Sequence, residues 1–395
     1  MYGDNKNDEI LAVTWNDFCD HLKSAGNLIF NSKSPAEDIE RAKGFRLLSR
    51  NIALALQFKL ENANPHYPEL MHYFDPIRKQ GGDNSDAIYH GAPINGTDTY
   101  TIKGQLGTAK YIAITVLEDG ATPWGGKVVG TLFKNQIIAD DYGNFEIILS
   151  PEEHAENWIK TSPASWRVTI RQFFGNWEKE EPMNATIDCL TQTEPKKEVI
   201  PSEVISGLSE SAKWLTESIE YWIKMIDRWQ EKPNEFFSYR ELDKNQIDAT
   251  PGGEPLICYW SVPDGEALII RVYPPEANYW SVEFGSYWWE TLDYRYRLCS
   301  TNCEHAVLED SGELVIVVSH EDPQVPNWLD PSGHKEGYVT FRWIGSETYP
   351  KPKVTLTKFS SLKKQLSNGF KTISRNDRDH QIKARRKGIL KRFQI

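Results

Sequence analysis

The spacing of hydrophobic positions changes period repeatedly along this chain, and each change marks an expected element. Two helices are predicted first, over 14–31 and 34–61. In the second, Ile39, Ala42, Phe45, Leu48, Ile52, Leu54, Ala55 and Phe58 recur at helical spacing, and Ser34-Pro35 has the form of a capped start. From Ala87 the period falls to two. Strands are predicted at Ala87–Pro93, Tyr100–Lys103, Tyr111–Val116, Phe145–Leu149, Trp166–Phe173 and Ala185–Leu190. A charged linker, Glu194–Pro201, leads to a helix over Ser202–Gln230, whose apolar stripe includes Leu208, Ala212, Leu215, Ile219, Trp222 and Ile226. Strands resume near Leu256 and run to about Thr357, and a basic helix is predicted over Asp377–Phe393.

The two strand-rich regions match each other. Tyr100–Val116 aligns with Leu268–Phe284 at an offset of 168, placing Ile102-Lys103 on Ile270-Arg271 and Tyr111 on Tyr279. Asp141–Trp158 aligns with Asp310–Trp328, placing Gly143 on Gly312, Ser150 on Ser319 and Asn157-Trp158 on Asn327-Trp328. Trp166–Gln172 aligns with Tyr338–Trp343, placing Thr169 on Thr340 and Arg171 on Arg342, where the offset is 171. Matches that keep order and nearly keep register imply an internal duplication. The expected fold is mainly β with flanking helices (α+β): two tandem antiparallel β-sandwich or jelly-roll-like units of about seven or eight strands each. The expected division is a helical region 1–85, a first unit 86–191, a linker and helix 192–254, a second unit 255–359 and a basic helical tail 360–395.

Composition adds an unusual aromatic load, with 14 Trp, 17 Tyr and 16 Phe in 395 residues. Such rings fill sandwich cores or line ligand pockets. Net charge is −11, but residues 351–395 carry 14 Lys and Arg against 2 Asp and Glu, which leaves the rest at −23. An acidic body argues against nucleic-acid binding. The basic tail would dock on the acidic body, a partner or a membrane surface. Five cysteines without a CxxC pair suit reduced thiols, and the acidic start MYGDNKNDEI lacks a signal-peptide pattern, so a cytoplasmic location is expected. No apolar run is long enough for a transmembrane segment.

Four stretches resemble the largely bacterial family defined by domain of unknown function 1214: Asp75–Ile94, Arg171–Pro182, Tyr279–Arg297 and Pro326–Trp343. The resemblance covers nearly the whole chain. It implies a mostly β fold with flanking helices and supplies no reaction, cofactor or catalytic residue.

Two segments have the residues for chemistry. In Arg78-Lys-Gln-Gly-Gly-Asp-Asn-Ser-Asp86, with His90 beyond, the paired glycines permit positive φ and close backbone approach. Asp83 and Asp86 are candidate acid/base groups; Arg78, Asn84 and His90 are candidate ligand contacts. The other reading is an ordered turn capped by its own Asx side chains. In Tyr279–Arg297, alternation puts Tyr279, Ser281, Glu283 and Gly285 on one face and Trp280, Val282 and Phe284 on the other. Tyr287, Trp288, Trp289, Arg295 and Arg297 would form an aromatic and cationic wall, with Glu290 and Asp293 as candidate catalytic carboxylates. The other reading is core packing plus surface ion pairs. The two copies differ at both segments, which marks them for function, whereas shared positions such as Trp158/Trp328 and Arg171/Arg342 read as scaffold. His305, His320 and His334 lack ligand spacing, and neither metal nor cofactor is assigned. No P-loop, dinucleotide fingerprint, nucleophile elbow or HExxH occurs. Three readings fit, in this order: an enzyme of unassigned reaction on a small apolar-aromatic or hydroxylated molecule, with its site where the two segments meet; a non-catalytic small-molecule or carbohydrate-binding module; a scaffold using its basic tail. The oligomeric state is left open.

Overall fold

The computed structural model describes residues 6–120, 122–238, 250–366 and 370–394. The first residues of the acidic start, 239–249 of the linker and 367–369 of the tail lie outside them.

Among the described residues eighteen strands fall into four sheets, and the strand orders state the duplication directly. The first unit contains β1 (Met71–Phe74), β2 (Ala87–Pro93), β3 (Tyr100–Gln105), β4 (Tyr111–Glu118), β5 (Val128–Phe133), β6 (Asn144–Ser150), β7 (Trp158–Lys160), β8 (Ser165–Phe173) and β9 (Asn184–Cys189). They make a sheet of order β1-β2-β8-β4-β5 over one of order β7-β6-β3-β9. The second unit contains β10 (Phe237–Ser238), β11 (Gly253–Ser261), β12 (Glu266–Val272), β13 (Tyr279–Ser286), β14 (Ser300–Asn302), β15 (Leu314–Ser319), β16 (Trp328–Leu329), β17 (Glu336–Ile344) and β18 (Lys353–Lys358). Its orders, β10-β11-β17-β13-β14 and β16-β15-β12-β18, repeat the first with every strand advanced by nine.

Local chemistry repeats as well. Trp158 Nε1 donates to Ser150 O at 3.0 Å, and Trp328 Nε1 donates to Ser319 O at 2.9 Å. The Asn157 and Asn327 amides each bridge two carbonyls of their own unit. Gly143 and Gly312 take φ of 81° and 83° at the same turn, a conformation with little cost for glycine alone. The edge strands β1, β5 and β7 were not expected. They are short or only half-buried, so their alternation is weak.

Three longer helices pack around the sandwiches: α1 (Lys6–Ala25), α2 (Asp38–Leu56) and α3 (Pro201–Trp229). Helix α2 starts four residues later than the Ser34-Pro35 pattern implies. The Ser34 hydroxyl donates to Ile29 O, stabilising the preceding turn instead of capping the helix. The expected stripe of α3 is buried at Leu208, Ala212, Leu215, Ile219, Trp222 and Ile226.

A fourth long helix, α4 (Arg375–Phe393), is the basic tail, and it packs on the body. Arg378, Arg385 and Arg392 form its inward stripe at heptad spacing and are buried. Arg378 sits over Trp328 and pairs with Asp322; Arg385 and Arg392 sit over Trp177. Arg385 donates to Ser300 Oγ of the second unit and Arg392 to Ser85 O beside the first. The tail therefore ties the units together through cation–π and hydrogen-bond contacts.

In each large sheet one face looks into its own sandwich. Ile112, Ile114, Val168 and Ile170 do so in the first unit, and Val282, Phe284, Val339 and Phe341 in the second. The opposite face carries the polar half of the alternation. It is buried too, because the two large sheets turn those faces toward each other with α3 alongside.

Candidate functional site between the two units

The loop after β1 plugs into the second unit. Gly81 and Gly82 have φ of 64° and 68°, and a Cβ there would lie 2.7 Å from the Trp222 ring and 2.6 Å from Trp289 Nε1. Only glycine admits both the backbone and the approach. Gly82 N–H donates to Trp289 O at 2.8 Å. Lys79 Nζ donates to Thr291 O and Leu292 O and lies 4.3 Å from the Tyr294 ring centre. Asp83 accepts from Thr291 N–H and Oγ1 at 3.0 and 2.6 Å. Asp86 accepts from Trp177 Nε1, Tyr279 OH and Asn302 Nδ2. Burial raises both carboxyls above their ordinary range. The two segments singled out in the sequence do meet.

Beside this plug, between the facing sheets, lies a cavity of about 110 Å³. Strand β8 contributes Arg167, Thr169 and Arg171 from alternate positions, and β17 contributes Thr340 and Arg342. Aromatic walls come from all sides. Trp124, from the loop joining β4 to β5, and Trp289, from the corresponding loop joining β13 to β14, lie 6.2 and 4.5 Å from the Trp222 ring centre. Trp289 has φ of 51°, a left-handed conformation that strains a bulky residue and persists only where its surroundings impose it.

Of the residues picked from sequence, Asp83 and Trp289 line this cavity. The others have different places. Glu290 is buried against Arg50 of α2 at 2.7 Å. Tyr287 OH donates to Asp227 of α3, Trp288 Nε1 donates to Glu40 O of α2, and Asn84 Nδ2 donates to Tyr279 OH. With Asp86, these hold helices and units together. Arg78 pairs with Asp75 and Asp293 with Arg295, all partly exposed, and the exposed Arg297 pairs with the buried Asp330. His90 lies 4.1 Å from the His72 ring, and burial depresses it to about 3. The four carboxylates named as candidate catalysts are thus not gathered on one cavity: packing distributes them among separate donors and ion pairs.

The electrostatics of the cavity turn on its arginines. Arg342 is satisfied, with Glu283 and Gly82 O accepting from its guanidinium, and Glu283 also accepting from Ser85 N–H. Burial raises the Glu283 carboxyl, and the Arg342 guanidinium beside it draws it back toward the charged form. Arg171 holds the same register in the first unit. In the second unit Glu283 faces Thr340 across β13 and β17; in the first, Thr115 faces Thr169 across β4 and β8. Thr115 therefore stands where Glu283 would be. Among the described residues, Arg171 reaches Thr169 Oγ1 alone, at 3.5 Å, too long for a working hydrogen bond. Arg167 rests on the Phe58 and Tyr73 rings, 4.1 and 4.6 Å from their centres, and one of its terminal nitrogens has no partner. Neither Arg167 nor Arg171 meets a carboxylate among the described residues.

The described residues place no three His, Cys, Asp or Glu side chains to hold a metal. All five cysteines are free; burial pushes Cys299 up to about 12 and raises Cys303, which leaves both as thiols at neutral pH. Sequence reading missed Arg167, Arg171, Trp124 and Trp222 as site residues. The available signal was in the alignment, which sets Thr115 opposite Glu283 while keeping the arginine in both copies.

A duplicated β-sandwich with a cavity at the junction defines the class of this protein. The family model described as a protein of unknown function, DUF1214, matches residues 85–175 in the first unit and 268–348 in the second, so each unit resembles that family. No curated protein matches the chain. An uncharacterised protein from Burkholderia cenocepacia has a crystal structure similar to this one. It is 27% identical, with a TM-score of 0.86 over 90% of this chain and 100% of that one. A protein from Vibrio parahaemolyticus aligns at 12% identity and a TM-score of 0.45, over 86% of this chain and all of its own.

Proposed function

We propose that this protein binds a small organic molecule in the cavity between its two units. The observation that carries this reading is the convergence of arginines, threonines and tryptophans from both copies on one internal space. Ligand sites are commonly concave, mostly apolar and furnished with a few aimed polar groups. Two of those groups, Trp222 Nε1 and Thr340 Oγ1, have no hydrogen-bond partner among the described residues, so the wall is left with unmet polar capacity. The strained Trp289 supports the reading, since strain collects at functional positions. Tyr221 lines both the cavity and a surface cleft beside Lys59, Lys213 and Lys224, which marks an entrance. The five free thiols agree with the cytoplasm as the compartment of this proposal.

The test is a thermal-shift and calorimetric screen of single-ring and short-chain compounds on the full chain, run in parallel on Leu117→Trp, which fills the cavity from the β4 side. Binding to the native chain and loss in the filled variant are expected. Hits that persist unchanged in the filled variant place the site elsewhere and overturn the reading.

A second reading, catalysis, rests on Asp83. It is a carboxylate in the cavity wall whose burial favours the protonated form, as a general acid requires. Asp83→Asn is expected to keep binding and lose turnover of any bound compound that the native chain converts; unchanged turnover removes the reading.

A further inference from the structure

We infer that the ligand of this cavity is an organic acid, a single-ring or short-chain carboxylate whose anionic end sits against Arg171 and Arg167. This rests on the binding proposal above and adds the substrate class.

Both arginines are almost fully buried, at 5% exposure for Arg167 and 9% for Arg171. A buried cation without a counter-charge is unfavourable, and proteins normally pair it. Arginine cannot escape by losing its proton. Burial, with Arg171 close by, pushes Arg167 down only to about 10, so it is charged at neutral pH. The cations on β8 therefore repel each other and face an open space. Partial relief comes from the Phe58 and Tyr73 rings under Arg167, for which Gly91 leaves room: a Cβ there would lie 2.5 Å from an Arg167 nitrogen. Among the described residues, no ring serves Arg171 in this way.

The second unit gives the reference. There the same register position is neutralised by a built-in carboxylate, Glu283, in an otherwise repeated sheet. Thr115 removes that carboxylate from the first unit, and the space beside Arg171 is cavity. A carboxylate brought by a ligand restores the arrangement of the second unit. It also offers two oxygens to the planar, forked donors of a guanidinium, and an organic acid adds an apolar body that inorganic phosphate lacks.

The remaining walls suit an apolar body. Phe74, Leu117, Trp124, Trp222, Ile257 and Trp289 leave about 110 Å³. A dry cavity on the order of 150 Å³ holds one benzene ring, so a single ring is the upper limit of the apolar body and a short chain fits within it.

The experiment uses the full chain and a matched set: benzoate, benzamide and benzyl alcohol, with inorganic phosphate as a bare anion. Affinities are read by calorimetry and by thermal shift. Benzoate is expected to bind at least tenfold more tightly than benzamide, and phosphate more weakly than benzoate. Arg171→Met is expected to abolish the preference for benzoate while the unliganded variant keeps its melting temperature. Arg167→Met provides a second variant with the same expected loss. Equal binding of benzoate and benzamide overturns the anionic class and leaves the binding proposal standing. Phosphate binding as tight as benzoate overturns the carboxylate assignment. Failure of all ring compounds, together with no hit in the wider screen, overturns both. An Arg171→Met chain that is strongly destabilised without ligand shows a scaffold arginine and also overturns the inference.

Discussion

Arg171 and Arg342 occupy one position of a duplicated fold, and their surroundings differ at the neighbouring position that holds Thr115 in the first unit and Glu283 in the second. In the second unit the guanidinium is closed by Glu283 and Gly82 O; in the first, Thr115 leaves it facing a cavity. The difference teaches that duplication supplies two equivalent sheets, and that divergence at a neighbouring position leaves one arginine in an ion pair and its counterpart without a carboxylate among the described residues.

The largest effect should come from breaking the closed half. Arg342→Met leaves Glu283 buried without its cation, and loss of one partner of a buried pair costs about 3–5 kcal/mol. Denaturant unfolding should show this as a lower midpoint, and an unchanged midpoint would dissolve the contrast between the arginines. A pH titration comes next. His90 in the first unit and His305 in the second are both depressed to about 3 by burial, so each is neutral in the folded chain. The unfolded chain takes up these protons from about pH 6.5 downward. Stability is thus fully present above that pH and is lost as pH falls toward 3, by up to about 1.4 kcal/mol per unit for each imidazole. His90→Phe and His305→Phe should each flatten the slope of unfolding free energy against pH. Gly82→Ala tests the plug between the units. Its φ of 68° and the nearby Trp289 should cost roughly 1–3 kcal/mol in chemical denaturation. The smallest change is expected at the open half: Arg171→Met removes an uncompensated cation and should shift unliganded stability by less than about 1 kcal/mol, in either direction.

Much of the architecture was legible from sequence. Alternation located β2 at its observed bounds and α3 within a residue, and the self-match predicted sheets that repeat strand for strand. The plug was legible through Gly81-Gly82, because two adjacent positive-φ glycines imply close approach. The site was legible in part. Asp83 and Trp289 line the cavity, whereas Glu290, Tyr287 and Trp288 turned out to bind the N-terminal helices and α3. An alternating strand such as Trp166–Phe173 shows that one face is polar; it does not say whether water, a ligand or a second sheet lies against that face.

By itself, the sequence determined which residues share a face, that the fold occurs twice, and where an arginine is repeated while its carboxylate partner is not. These depend on period and order, which are properties of the chain. Only the tertiary structure decided that the two polar faces meet, that the loops carrying Trp124 and Trp289 close on Trp222, and that Arg167 and Arg171 point into shared space. The reason is that burial of a charge depends on how two surfaces pack, and strand alternation is the same whether the polar face meets solvent or another sheet.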